Sequence, residues 1–373
     1  MATSDVLVVG GGIMGCAIAL RLAQAGVGVT VLERSIPGAE ASSAAGGILA
    51  PQKESAGPGP LLDLGLRSRA LYPRFAEELR ELSGIDVGYQ PCGLLTTAFD
   101  EATLHKLEAT SAWQRAAGLR ADLLSADDAR ALEPRLSPKL QGALHLPDDH
   151  QVDNQLLVRA LSMAAERQGA RFRTGYVRGL HVRGDRVEGV DLDGETLHAS
   201  QVIIAAGSWS GLVNGAGIDP RVVRPVRGQM IELQARLPPF SRVLFSPRGY
   251  LVPRRDGRVI AGSTMEQVGF EKEVTAGGLA AILGMALELC PELAQVSVSR
   301  TWAGLRPFTE DFLPLIGPGP MPGLLLATGH FRNGILLAPI TAKLIAELVL
   351  GRSPSVDLSP FRFDRHALSV QAR

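Results

Sequence analysis

The tightest constraint on this chain lies in its first forty residues. Asp5-Val6-Leu7-Val8-Val9 is a short β-branched apolar run, read as a strand buried on both faces. Gly10-Gly11-Gly12-Ile13-Met14-Gly15 follows, then a helical stretch to Gln24 closed by Ala25-Gly26, and a second apolar run from Val27 to Leu32 that ends in Glu33. Strand, glycine turn, helix and strand within about 30 residues is the context in which a GxGxxG spacing carries meaning. Gly10 permits the tight turn, Gly12 lets the backbone approach a pyrophosphate, and Gly15 lets helix and strand pack closely. The helix start at Ile13 and Met14 offers N–H groups and a positive dipole end to phosphates. Glu33, with Arg34 beside it, stands where ribose hydroxyls would be bound, and its charge disfavours a 2′-phosphate. A glycine turn that serves packing alone is the competing reading; Ala19, Leu22 and Gly26 continue the helix-face pattern and argue against it. A nucleotide with an ADP moiety is expected, and the fingerprint by itself leaves NAD and FAD open.

Composition removes other classes. With 38 basic and 38 acidic side chains the chain lacks the basic excess of a nucleic-acid binder. A 46% hydrophobic content in 373 residues fits about two globular domains and excludes disorder as the main state. The three cysteines, Cys16, Cys92 and Cys290, are odd in number and widely spaced, which fits a reducing compartment. No His/Cys/Asp cluster has metal-ligand spacing, so no metal is expected. The apolar stretch Val6 to Leu20 lacks a positive n-region, although Ile13-Met14-Gly15-Cys16 loosely resembles a lipoprotein box. The run Ile335 to Leu350 contains Pro339, Lys343 and Glu347 and is too short to span a bilayer. A cytoplasmic protein with no integral membrane segment is expected.

Downstream of Glu33, Glu40 to Ala50 is dense in small residues. Ala41, Ser42, Ser43, Gly46 and Gly47 suit a loop or helix start pressed against a flat ring system or phosphates, a flexible surface linker being the alternative. Gln201 to Trp209 reads as another buried strand ending in small residues, Gly207 among them. Upstream of it lie a helix near Asn154 to Gln168 and a strand near Arg171 to Val177 that would return to the sheet beside the adenine. Leu324 to Gly329 repeats the strand-into-glycine pattern and feeds His330-Phe331-Arg332-Asn333-Gly334, then an apolar helix that begins at Ile335 and Leu336. A helix N-terminus there would favour the negative charge of a reduced ring. Segments from the start, middle and end of the chain thus build one nucleotide domain. Gly249 to Arg254 and Arg258 to Thr264 read as two strands joined by an Arg255-Asp256-Gly257 turn.

Val9 to Gly15 with Glu33, Ser42 to Gly47, Gly249-Tyr250-Leu251-Val252-Pro253-Arg254, Trp302-Ala303-Gly304-Leu305-Arg306-Pro307 and the Gly329–Gly334 segment recur in that order in a known family. Over nearly its whole length the chain resembles the FAD-dependent amine oxidases of the D-amino acid oxidase superfamily, and within it the glycine oxidases of the thiamine-biosynthesis type. The resemblance implies a Rossmann-like α/β FAD-binding domain over 1–85, 146–225 and 300–373. It also implies a substrate domain based on an antiparallel β-sheet over 86–145 and 226–299. Arg306 and Tyr250 would hold the substrate carboxylate, Arg306 through two parallel charge-assisted hydrogen bonds. Arg332 would lie near flavin and substrate, and Met265 and Ile48 would crowd the side-chain pocket. FAD would rest on the glycine turn, the Ala41–Ile48 stretch, Val177, Gly207 and the backbone of His330 through Leu336. Blander readings stand beside these: a tyrosine in a sheet usually packs its ring and wets its tip, and most of the basic side chains are surface groups.

The implied reaction is oxidation of glycine or another small amine, such as sarcosine or a small D-amino acid, to the 2-oxo acid, ammonia and hydrogen peroxide with oxygen as acceptor. No side chain is expected to act as a catalytic base. Sarcosine-oxidase relatives attach flavin through a cysteine near the arginine-bearing segment; Thr301 to Asp311 holds no Cys, so non-covalent FAD is expected. The family also implies a homotetramer and a role in supplying the imine for the thiamine thiazole. The rival readings are a D-amino acid or secondary-amine dehydrogenase that passes electrons to a quinone, and a non-catalytic redox sensor.

Overall fold

Alternation along the first strand sorts its side chains into two cores. In the computed structural model, which describes residues 5–365, this strand is Val6–Val9. Val6 and Val8 enter one hydrophobic cluster, Leu7 and Val9 another, as a period of two dictates for a strand covered on both sides. The strand sits inside a six-stranded sheet in the order Leu315–Pro318, Leu324–Thr328, Gln201–Ile204, Val6–Val9, Val29–Glu33, Arg171–Thr174. Neighbours are parallel except at the Leu315–Pro318 edge. The sheet therefore draws on the start, middle and end of the chain. Helices Ile13–Gln24, Pro60–Ser83, Asn154–Arg167 and Gly334–Val349 share the first cluster and cover one face. A three-stranded antiparallel sheet, Val177–Arg183, Arg186–Leu192 and Glu195–His198, covers the other through Leu180, Val187, Val190 and Leu192.

One expected strand divides in two. The run expected near Arg171 to Val177 leaves the six-stranded sheet after Thr174, where Gly175 N donates to Glu33 O at 2.9 Å and ends the ladder. Val177 then opens the first strand of the small sheet.

The second large sheet has eight strands, in the order Ser297–Phe308, Arg224–Gln234, Arg258–Gly262, Gly249–Pro253, Val243–Ser246, Leu94–Ala98, Gly142–Leu146, Asp122–Ser125. All neighbours are antiparallel except Val243–Ser246 with Leu94–Ala98. One face packs Ile231, Leu251 and Ala261 against helix Ala276–Leu289. The other presents Met230, Phe245, Tyr250, Val252 and Trp302. Strands Arg224–Gln234 and Ser297–Phe308 pair from Arg224↔Phe308 to Gln234↔Ser297, so the sequence-based borders at 225/226 and 299/300 fall inside paired strands. No helix among the described residues is long and apolar enough to cross a membrane. The sequence readings of residues 1–4 and of the tail beyond 365 lie outside the described residues.

Candidate active site

Between the two sheets runs one cleft whose wall includes Gly10, Gly12 and Glu33 from the glycine-turn unit, and Tyr250 and Arg306 from the eight-stranded sheet. At the glycine end, Gly10 has φ +107° and a Cβ there would stand 2.6 Å from Ala205 O, so only glycine fits the turn. A Cβ on Gly15 would meet Gly10 O at 1.8 Å, which makes Gly15 a packing residue behind the cleft. A Cβ on Gly12 would meet only Ser42 Oγ within 4 Å, at 3.3 Å, and this position borders the cleft with Ile13 and Met14. Glu33 Oε2 accepts from Gly11 N at 2.8 Å and Oε1 from Ser35 N at 3.0 Å. Each oxygen keeps a lone pair for a further donor, as a ribose diol requires. Arg34 also borders the cleft, stacked 3.9 Å over the Trp209 ring and paired with Glu40 at 2.5 Å.

The small-residue stretch forms the short helix Ala41–Ala44 and the strand Ile48–Leu49. Its exposed-looking composition is compensated by a dense set of ties. Ser42 Oγ accepts from Ile13 N at 2.9 Å, and Asn154 Nδ2 donates to Ser42 O and Ser43 O at 2.8 and 3.0 Å. Trp302 Nε1 donates to Ala44 O at 3.1 Å, and the buried Arg254 donates to Gly46 O at 2.9 Å and to Gln151 Oε1 at 2.8 Å. Ala41, Ser42, Gly46, Gly47 and Ile48 border the cleft. Ser43 does not; its hydroxyl donates to Gly38 O at 2.6 Å. Val177 and Gly207 complete the wall on the side of the small sheet.

Arg306 lies on strand Ser297–Phe308, on the same face as Trp302 and Gly304. Across the ladder Gly228 has no side chain, and a Cβ there would come within 2.1 Å of Arg306 Nη2. The guanidinium therefore lies flat over the neighbouring strand, held by Nη2 to Ser263 Oγ at 2.6 Å and Nη1 to Thr264 O at 3.3 Å. These bonds leave N–H groups free to meet a carboxylate. The Tyr250 hydroxyl, 3.6 Å from Met230 Sδ, is also in hydrogen-bonding reach of Arg306. Burial, the largest influence, pushes the Arg306 pKa down; Tyr250 pushes it back up, Arg332 lowers it and Glu54 raises it. Tyr250, Arg332 and Glu54 thus all act on Arg306 at this end of the cleft.

The third wall is the turn before the C-terminal helix. Phe331 has φ +47°, a conformation that a bulky residue rarely adopts, and its ring packs against Phe308 and Phe312 at centroid distances of 5.0 and 5.8 Å. His330, Phe331, Arg332, Asn333, Gly334 and Ile335 border the cleft, while Leu336 lies buried behind it with its carbonyl accepting from Ser68 Oγ. Burial pushes His330 down to about 3, so the ring is neutral, and its Nε2 meets Thr341 Oγ1 at 3.1 Å. Arg332 Nε pairs with Glu54 Oε2 at 2.8 Å. Met265 stands 65% exposed and does not border the cleft; it lies beyond the end of strand Arg258–Gly262.

Glu54, Phe245, Ser263 and Gly228 also border the cleft and were not singled out from sequence. Phe245 follows from alternation on strand Val243–Ser246, opposite Tyr250 in the ladder. Glu54 carries no local signal, since its partner is far away in the chain. A dinucleotide fits what is present: a glycine-lined turn, a carboxylate for the ribose, and a cleft continuous to a buried guanidinium. Gly10, Gly12, Glu33, Ser42, Gly47 and the His330–Ile335 turn border the cleft and would hold such a group.

The chain matches the family described as DAO, FAD dependent oxidoreductase, over residues 5–348. It is 43% identical to the Bifunctional protein ThiO/ThiG of Synechocystis sp. over 97% of its own length and 54% of that protein, so it spans about half of that relative. It is 39% identical to the glycine oxidase of Geobacillus kaustophilus over 97% of each chain. The crystal structure of glycine oxidase from Geobacillus kaustophilus superposes with a TM-score of 0.95 at 37% identity, covering 98% of this chain and all of that one.

Proposed function

The chain belongs to the DAO family of FAD dependent oxidoreductases, and from that premise we propose that it oxidises glycine and other small amines with oxygen as acceptor. The observation that carries this reading is the single cleft that joins Glu33 and the glycine turn to Arg306 and Tyr250. FAD, when bound, supplies the two-electron acceptor that no side chain here provides. Arg306 offers its outer N–H pair to the substrate carboxylate, and Tyr250 adds a hydroxyl donor at the same end. Ser263 and Thr264 hold the guanidinium so that its orientation is set before the substrate arrives. His330 is neutral with its Nε2 committed to Thr341, so it moves no proton in this scheme. Glycine, oxygen and water give glyoxylate, ammonia and hydrogen peroxide, with the imine of glycine as the product first released from oxidation. Similarity to the ThiO/ThiG protein supports a role for that imine in building the thiazole of thiamine.

The same reading gives FAD the segments 1–85, 146–225 and 300–373, and the substrate 86–145 and 226–299. Strands Arg224–Gln234 and Ser297–Phe308 are then assigned whole to the substrate sheet. It also places the protein in the cytoplasm as a homotetramer, which its three free cysteines and size-exclusion mass would respectively support and test. The deciding experiment is a visible spectrum of purified protein before and after anaerobic glycine, then after admission of air. Bleaching of the flavin band with prompt recolouring in air is expected. Bound flavin that ignores glycine and sarcosine, or bleaching that air does not reverse, would overturn the oxidase reading.

A further inference from the structure

Two guanidinium groups, Arg306 and Arg332, border the substrate end of the cleft, yet a zwitterionic amino acid presents one carboxylate. Glu54 accounts for the second. Its Oε2 lies 2.8 Å from Arg332 Nε, and its side chain is 15% exposed against 44% for Arg332. Both groups act electrostatically on Arg306 with opposite signs. The three charges together leave the pocket with one net positive charge, which a single carboxylate neutralises.

The backbone that carries the acid is held from below, while its buried Oε2 has no hydrogen-bond partner beyond the ion pair with Arg332. It ends the short helix Pro51–Glu54, whose Lys53 N and Gln52 N donate to the buried Asp149 carboxylate at 3.1 and 3.5 Å. Gln52 is fully buried and donates to Gln114 Oε1 and to Arg120 O, both at 2.9 Å, while Arg69 joins it to Asp149. A network this fully satisfied fixes the backbone that carries Glu54. Glu54 is therefore a preset charge on the cleft wall.

Resting on the proposed oxidation of small amino acids, we propose that Glu54 is a specificity-determining residue that selects substrates by charge. By neutralising Arg332 it confines the site to amines with one anionic group, and it repels a second carboxylate. Without its charge, Arg332 becomes available to an amine bearing two carboxylates.

The test compares wild-type holoenzyme with Glu54→Gln at pH 8. Dissociation constants for acetate and malonate are read from the perturbation of the flavin spectrum, and kcat/KM is measured for glycine and iminodiacetate. Both ratios, malonate over acetate and iminodiacetate over glycine, are expected to rise at least about tenfold in the variant, the scale of one unit charge at close range. Arg332→Gln, which leaves Glu54 uncompensated, is expected to move the binding ratio the other way. Ratios unchanged in Glu54→Gln, or moved in the same direction by both variants, would overturn the proposal. If the wild type oxidises neither amine, the proposed function fails on its own, and the acetate–malonate comparison still decides the charge selection.

Discussion

Arg306 owes its place to an absence across the ladder. Gly228 leaves the space that the guanidinium fills, and Ser263 and Thr264 O hold it there. Truncating it removes the charge proposed to meet the carboxylate without touching the glycine turn or Glu33. Arg306→Ala is expected to lower kcat/KM for glycine by about 100-fold, corresponding to roughly 3 kcal/mol for a lost buried charge pair, while the protein stays yellow. Unchanged turnover, or colourless protein, would refute that role. Resemblance of the Gly249–Arg254 and Trp302–Pro307 segments to the family singled out Tyr250 and Arg306, and both border the cleft. Met265, expected at the pocket from the family resemblance, lies off the cleft wall beyond the end of strand Arg258–Gly262. Glu54 was invisible because its meaning depends wholly on Arg332, which the fold brings to it.

At the scale of elements, the C-terminal helix shows how a local fault is repaired from a distance. Pro339 has no N–H, so the Ile335 carbonyl one turn earlier loses its helical partner. The Tyr72 hydroxyl, on helix Pro60–Ser83, donates to that carbonyl instead, and Ser68 Oγ donates to Leu336 O at 2.6 Å. Both carbonyls lie in the first turn of the helix, next to the His330–Ile335 wall of the cleft. Tyr72→Phe leaves the ring and its packing but orphans a buried acceptor. It is expected to lower unfolding free energy by about 1–2 kcal/mol, seen as a reduced urea midpoint with an unchanged slope. No shift in the midpoint would show that the carbonyl had found another partner. The apolar run from Ile335 announced a helix despite its proline; nothing local announced Tyr72.

For the molecule as a whole, the proposed FAD site would join both sheets, because the cleft wall is shared between them. Cys16, Cys92 and Cys290 all lie off that wall, which agrees with a cofactor held without a covalent bond. Acid precipitation is expected to release FAD into the supernatant; colour retained in the pellet would contradict this. Refilling the stripped protein at about 1,000 times the dissociation constant should restore about 4 kcal/mol of stability, visible as a raised melting temperature. A melting temperature indifferent to FAD would mean that the cleft does not hold it. Residues 5–33 determined by themselves that a nucleotide-binding strand–turn–helix–strand unit forms, since its glycines, its two periodicities and Glu33 act over a few residues each. The pairing of Arg332 with Glu54, the bed of Gly228 under Arg306 and the hydroxyl of Tyr72 on Ile335 were decided only by the tertiary structure. Each is a contact between segments distant in sequence, set by sheet register and helix packing, and no local preference of the chain encodes it.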